Sequence, residues 1–185
     1  MRDDRLSIVQ VWDLQKMPKI ATTFEKLILK IRLIAIGGTS EKYLKVGCEI
    51  YIQRLKHYIP FTLELLPDIK KGHLLTPEML KQKEGELFLS AFRPGEVVVT
   101  LDEYGKELSS REFAGFITEK MNRSATSIAF CIGGAFGFSP QLLSRADLKL
   151  SLSRLTFSHQ MVRLIFVEQL YRAFTIIKGE AYHHD

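Results

Sequence analysis

The chain has 185 residues, the length of a single domain, and at that size folding buries enough surface to need no disulfide or metal staple. With 46% apolar and 25% charged residues it is too apolar for a disordered chain. No apolar run approaches the ~18–20 residues that a membrane-spanning helix needs. Cys48 and Cys131 fall in segments that read as a helix and a strand, which predicts buried thiols rather than a bridge. That usage and the lack of a secretory pattern at the amino terminus point to the cytoplasm. The net charge is +5; residues 1–29 hold five basic and four acidic residues, so the remainder carries +4 with no Lys/Arg run. Any nucleic-acid surface must then be assembled by folding or by pairing two subunits.

Residues 1–29 hold the only tryptophan, Trp12, and a Met17-Pro18 break, and they are expected to form an extension. From Lys30 onward the pattern alternates. Residues 31–36 are a β-rich run ending in Gly37-Gly38, and residues 40–58 show helical spacing through Tyr43, Val46, Ile50, Leu55 and Tyr58. A strand at 61–66 closes at Pro67-Asp68. Thr76-Pro77 opens a helix to about Phe92, with a capping hydroxyl followed by proline at the first helical position. After the turn Arg93-Pro94-Gly95 comes a strand at 97–101, with Asp102 as a turn residue before Gly105.

Ser109 followed by Glu112 has capping-box form and starts a helix to about Asn122. A strand at 127–132 runs into Gly133-Gly134-Ala135-Phe136-Gly137. A short helix at 140–145, a strand at 148–152 and a final helix at 160–178, closed by Gly179, complete the chain. Short continuous apolar strands alternating with helices predict an α/β fold of one domain, its mainly parallel sheet covered on both faces.

Open parallel sheets bind ligands beyond the carboxyl ends of their strands. Three such ends stand out: Thr100-Leu101-Asp102, the glycine stretch after Ile132, and Leu152-Ser153-Arg154-Leu155-Thr156-Phe157. The glycine stretch is neither G-x-G-x-x-G nor a phosphate loop, so nucleotide-binding fingerprints are missing. By default it is a tight turn, with Leu101 and Leu152 in the core. His57, His73, His159, His183 and His184 show no zinc spacing, and no metal is expected. A serine-nucleophile reading lacks its elbow motif. The last helix carries Arg163, Glu168 and Arg172, and the chain ends Glu180-Ala181-Tyr182-His183-His184-Asp185. On composition alone those groups are a polar tail and surface ion pairs.

Taken in order, Ile132-Gly133-Gly134-x-x-Gly137, Leu150-Ser151-Leu152-Ser153-x-x-Thr156-Phe157-x-His159-Gln160-Met161-x-Arg163, Glu168-Gln169-Leu170-Tyr171-Arg172-Ala173-Phe174 and Gly179-Glu180-Ala181-Tyr182-His183 resemble the RlmH family. These are large-subunit (23S) ribosomal RNA pseudouridine N3-methyltransferases of the SPOUT superfamily. The likeness extends to residues 30–37 and to Thr100-Leu101-Asp102, so it covers 30–185 and excludes 1–29. It implies a SPOUT methyltransferase domain whose C-terminal segment makes a deep trefoil knot, a feature no periodicity could suggest. It also implies a homodimer that binds S-adenosylmethionine and acts on ribosomal RNA within the ribosome. By match to the family motif, Leu101, Gly133, Leu152, Ser153, Arg154, Leu155, Thr156 and Phe157 line the cofactor pocket.

Arg172, Tyr182 and His183 match family positions near the acceptor base. His183 is expected to take or orient the proton, Tyr182 to stack or orient, and Arg172 to hold a phosphate or polarise a uracil carbonyl. His159 is expected to be structural. One departure is Ser158, where the family commonly has proline; serine frees φ and restores an amide, which predicts a looser loop. Competing readings are a dinucleotide oxidoreductase, poorly served by Gly37-Gly38-Thr39-Ser40, and a non-catalytic ribosome-associated factor. A related enzyme with a different RNA target is a third.

Overall fold

The computed structural model describes residues 29–182. Trp12, the Met17-Pro18 break and His183 lie outside the described residues. Five strands form one sheet: β1 (Lys30–Ile36), β2 (Phe61–Leu66), β3 (Val97–Glu107), β4 (Ser127–Ile132) and β5 (Leu148–Ser151). Their order is β2-β1-β4-β3-β5 and every pairing is parallel. Five helices connect them: α1 (Lys42–Leu55), α2 (Pro77–Ala91), α3 (Ser110–Asn122), α4 (Pro140–Arg145) and α5 (Met161–Lys178).

Successive strand residues face opposite sides, so the near-continuous apolar runs feed two cores. Ile31, Leu33 and Ala35 of β1 join Cys48 and Ile52 of α1, Phe113 and Ile117 of α3, and Phe166 and Leu170 of α5. Ile34 and Ile36 join Val98, Ala129 and Cys131 beneath Phe88 of α2 and Leu142 of α4. The sheet is sandwiched between helical layers, as expected. Cys48 and Cys131 are both free and buried. Arg32, a charge inside a buried strand, is tolerated because Glu96 and Glu64 bond its guanidinium at 2.7 and 2.5 Å.

The helix ends follow their side chains. Thr76 accepts from the Met79 amide at 3.3 Å, and Ser109 and Glu112 form the full capping box. Gly179 closes α5 at φ +70°. Among the described residues no helix is long and apolar enough to cross a membrane.

Two expectations need correction. On α1 the buried residues are Leu44, Cys48, Ile52 and Leu55, whereas Tyr43, Val46 and Ile50 stand 62, 60 and 48% exposed. The rotation is set by Gly47: a Cβ there would lie 3.0 Å from Leu164 of α5, so this face packs closely on α5 and turns the other apolar stripe outward. The second concerns β3, which does not stop at Leu101. Leu150 of β5 pairs with both Leu101 and Lys106, so residues 102–105 bulge out before the strand resumes.

The bulge depends on Gly105. A Cβ built there would sit 2.6 Å from the Leu150 carbonyl carbon and 2.7 Å from its nitrogen, backbone atoms that cannot turn aside. Gly105→Ala is therefore expected to lower the free energy of unfolding by about 1–3 kcal/mol. Chemical denaturation measures this; unchanged stability would mean the bulge relaxes at no cost.

Candidate functional site

A cavity of about 640 Å³ opens at the carboxyl ends of β3, β4 and β5. Three segments wall it: the β3 bulge from Leu101 to Tyr104, the turn from Ile132 to Phe138, and the loop that leaves β5 and enters α5. Its charged lining groups are the carboxylates of Asp102 and Glu103, with no lysine or arginine among the lining residues. Leucine, isoleucine and phenylalanine side chains supply much of the remaining wall.

Local bonds shape each segment. Asp102, expected in a turn, lies instead within β3 where the strand bulges, its Oδ1 accepting from the Tyr104 amide at 2.9 Å. Thr156 donates to Glu103 at 3.2 Å, joining the last loop to the bulge. Ser153 Oγ accepts from the Leu155 amide at 2.9 Å. Gln160 Oε1 accepts from the Ser40 and Glu41 amides at 2.9 and 3.3 Å, tying the end of the loop to the start of α1. At Ser158, the Oγ accepts from the Met161 amide at 3.2 Å and the carbonyl accepts from the Val162 amide at 3.0 Å. Both bonds hold the first turn of α5, and the side-chain bond is one that proline could not make.

Seven of the expected pocket residues are brought together here: Leu101, Gly133, Leu152, Ser153, Leu155, Thr156 and Phe157. Arg154 is not among the lining residues; its exposed guanidinium pairs with Glu107 at 3.0 Å. His159, set aside as structural, lines both this cavity and a smaller one of about 350 Å³ beside Gly37-Gly38-Thr39-Ser40. At Gly133 a Cβ would come 3.2 Å from the Gly137 oxygen and from Phe138 Cε1, so the turn's own fold already disfavours a side chain. Gly137 takes φ +79°, the left-handed region open to glycine.

Arg172 and Tyr182 lie elsewhere. Arg172 is ten residues along α5 from the cavity residue Val162, roughly 15 Å at 1.5 Å per residue. Glu168 Oε1 accepts from Arg172 at 2.7 Å and from the Tyr182 hydroxyl at 3.3 Å. The guanidinium stacks 4.9 Å over the Tyr182 ring, which meets Tyr171 edge-on. Tyr51 completes the group through its hydroxyl, 3.4 Å from that of Tyr182. Glu168, Tyr51 and Tyr171 were not predicted as site residues; only the i, i+4 spacing of Glu168 and Arg172 hinted at their pairing.

Sequence reasoning also missed Glu84. This α2 carboxylate is buried behind the glycine turn, where desolvation pushes its pKa up and a hydrogen bond from the Gly134 amide opposes that. Among the described residues no group of three His, Cys, Asp or Glu could hold a metal ion.

The family model for "Predicted SPOUT methyltransferase" matches residues 29–183. The chain belongs to the SPOUT methyltransferase family. A curated relative from Christiangramia forsetii named Ribosomal RNA large subunit methyltransferase H is 51% identical over 156 residues, covering 84% of this chain and 99% of its own. Relatives of that name from Phocaeicola vulgatus and Porphyromonas gingivalis are 49 and 45% identical, each covering 85% of this chain and all of their own. A crystal structure of a probable methyltransferase from Bordetella pertussis Tohama I superposes with a TM-score of 0.51 at 15% identity. It covers 83% of this chain and 99% of that one, a likeness of fold. The cavity of this SPOUT chain and its arginine–tyrosine cluster are thus two distinct places on one chain.

The cluster makes a titration prediction. Hydrogen bonding to Tyr51, burial and the Glu168 charge raise the Tyr182 pKa above the ordinary tyrosine value. Glu168→Gln removes a negative charge and stabilises the phenolate, so the Tyr182 pKa is expected to fall while staying above normal. NMR titration of ¹³Cζ-labelled tyrosine reads this; an unmoved pKa would separate Glu168 from Tyr182.

Proposed function

We propose that this SPOUT chain methylates N3 of a pseudouridine in large-subunit (23S) ribosomal RNA, on the assembled ribosome in the cytoplasm, using S-adenosylmethionine. In this reading residues 30–185 form the enzyme and residues 1–29 an extension. The observation that carries the cofactor assignment is the charge of the cavity lining. Two carboxylates and no lysine or arginine favour a cation over a polyphosphate, which argues for a sulfonium ligand and against a dinucleotide. The volume suits a nucleoside-sized molecule in a partly apolar cleft. The target follows the shared name of the relatives, at up to 51% identity and near-complete coverage of their length.

Residues that fit the cofactor are Leu101, Leu152, Leu155 and Phe157 as apolar walls, with Gly133 and the 152–157 backbone offering hydrogen-bonding edges. Bound there, S-adenosylmethionine supplies an activated methyl group, so the hard chemistry is its own. The chain's residues must orient the acceptor base, exclude water and handle one proton. His183 accepts the proton that leaves N3, and Arg172 steadies charge on a uracil carbonyl or holds a phosphate. Tyr182 is already stacked beneath Arg172 and so presents that guanidinium in one orientation.

The ~15 Å between the cavity and Arg172 on one α5 supports the homodimer, because a second subunit can bring its own cluster to this cavity. The exposed stripe of Tyr43, Val46 and Ile50 offers an apolar face for such pairing. A trefoil knot is part of the same proposal: the bulge, the glycine turn and the last loop, which wall the cavity, are the segments that a threaded C-terminus would gather.

The reading is tested by mass spectrometry of ribosomal RNA. A strain lacking the gene is expected to lose one N3-methylated pseudouridine from the large subunit, and the wild-type gene to restore it. His183→Ala is expected to cut turnover about 10²–10⁴-fold while leaving cofactor affinity nearly intact. Unchanged ribosomal RNA in the deletion strain would refute the target, and lost cofactor binding in His183→Ala would refute the role.

A further inference from the structure

The glycine turn at 133–139 has few bonds of its own: the Gly137 amide donates to the Gly134 oxygen at 3.2 Å. From outside the turn, α2 supports it at three neighbouring points. The Glu84 carboxylate lies flat against Gly134, where a Cβ would meet both carboxylate oxygens at 2.6 Å. The Gly134 amide is near enough to that carboxylate to oppose the rise in its pKa. Next to it, Gly85 leaves room for Ser139, whose Oγ would be 2.2 Å from a Cβ and which caps α4 through the Leu142 amide. One turn further along α2, Phe88 meets Phe138 edge-on with centroids 6.0 Å apart.

A carboxylate is a poor choice for packing alone. Glu84 is only 6% exposed, and the nearby Asp68 carboxylate adds like-charge repulsion. Leucine would fill the same space without either cost. What glutamate adds is an acceptor beside the Gly134 amide in the wall of the cavity.

We infer that Glu84 is a positioning residue for the methyl-transfer site: through the Gly134 amide it holds the glycine turn in the shape that receives the cofactor. Glu84 is not among the cavity's lining residues, so it acts through the turn and not on the ligand. The inference rests on the cofactor reading above and adds a residue from a helix that reading does not use.

The test compares Glu84→Leu, which removes the acceptor, with Glu84→Gln, which keeps an oxygen in its place. Calorimetry with S-adenosylmethionine should show affinity falling about tenfold or more in Glu84→Leu and staying within about threefold in Glu84→Gln. In the cofactor-free protein, hydrogen exchange at 133–138 should quicken in Glu84→Leu alone. The thermal midpoint of Glu84→Leu should stay at or above wild type, since a buried charge has gone. Wild-type affinity and exchange in Glu84→Leu would overturn the inference, as would an equal loss in Glu84→Gln or a collapsed midpoint in Glu84→Leu. A wild-type protein that binds no S-adenosylmethionine would instead sink the cofactor reading, and exchange would then decide the Glu84 contact by itself.

Discussion

The structure depends on how closely β3 and β5 approach each other at Gly105. Because no side chain intervenes, Leu150 can pair with Leu101 and again with Lys106, and the four residues between are expelled from the ladder. Those expelled residues bring Asp102, Glu103 and Tyr104 to the rim of the cavity. A regular strand would have kept them in the sheet, alternating between the helical layers. One missing methyl group thus separates a continuous sheet edge from a walled cleft whose charged lining is acidic.

The same economy of side chains recurs on the opposite wall. Gly133, Gly134 and Gly137 allow the turn to fold against itself and against α2, and each is small for a different reason. Gly133 is crowded by Gly137 and Phe138, Gly134 by the Glu84 carboxylate, and Gly137 takes a left-handed φ. The third wall is fixed at both ends, by Thr156 on Glu103 and by Gln160 on the amides that open α1. A cleft braced from three elements is preorganised, and preorganisation is what methyl transfer asks of a protein whose cofactor carries the reactive group.

Much of this was legible in the chain. Each strand carries an apolar-rich stretch between turn residues, and capping signals at Thr76, Ser109 and Gly179 are local chemistry that folding does not rearrange. The carboxyl ends of β3, β4 and β5 were legible as a site because glycines and polar residues break the apolar runs there. The facing of α1 was not, since it carries two apolar stripes and tertiary packing, including Leu164 against Gly47, chooses between them. The bulge was hidden because its cause, the backbone of Leu150, lies 45 positions from Gly105. Glu84 resembled any solvated glutamate in a charged helix; the one local clue was Gly85 beside it, a helix-weakening residue that made sense only as a close contact.

The most direct test of the account is a crystal structure of the protein with S-adenosylmethionine. The account predicts the cofactor in the larger cavity, touching Leu101, Gly133 and Leu155, with its positive centre on the side of Asp102 and Glu103. Cofactor seated instead beside Gly37-Gly38-Thr39-Ser40, or a chain whose cavity stays empty at saturating concentration, would contradict it.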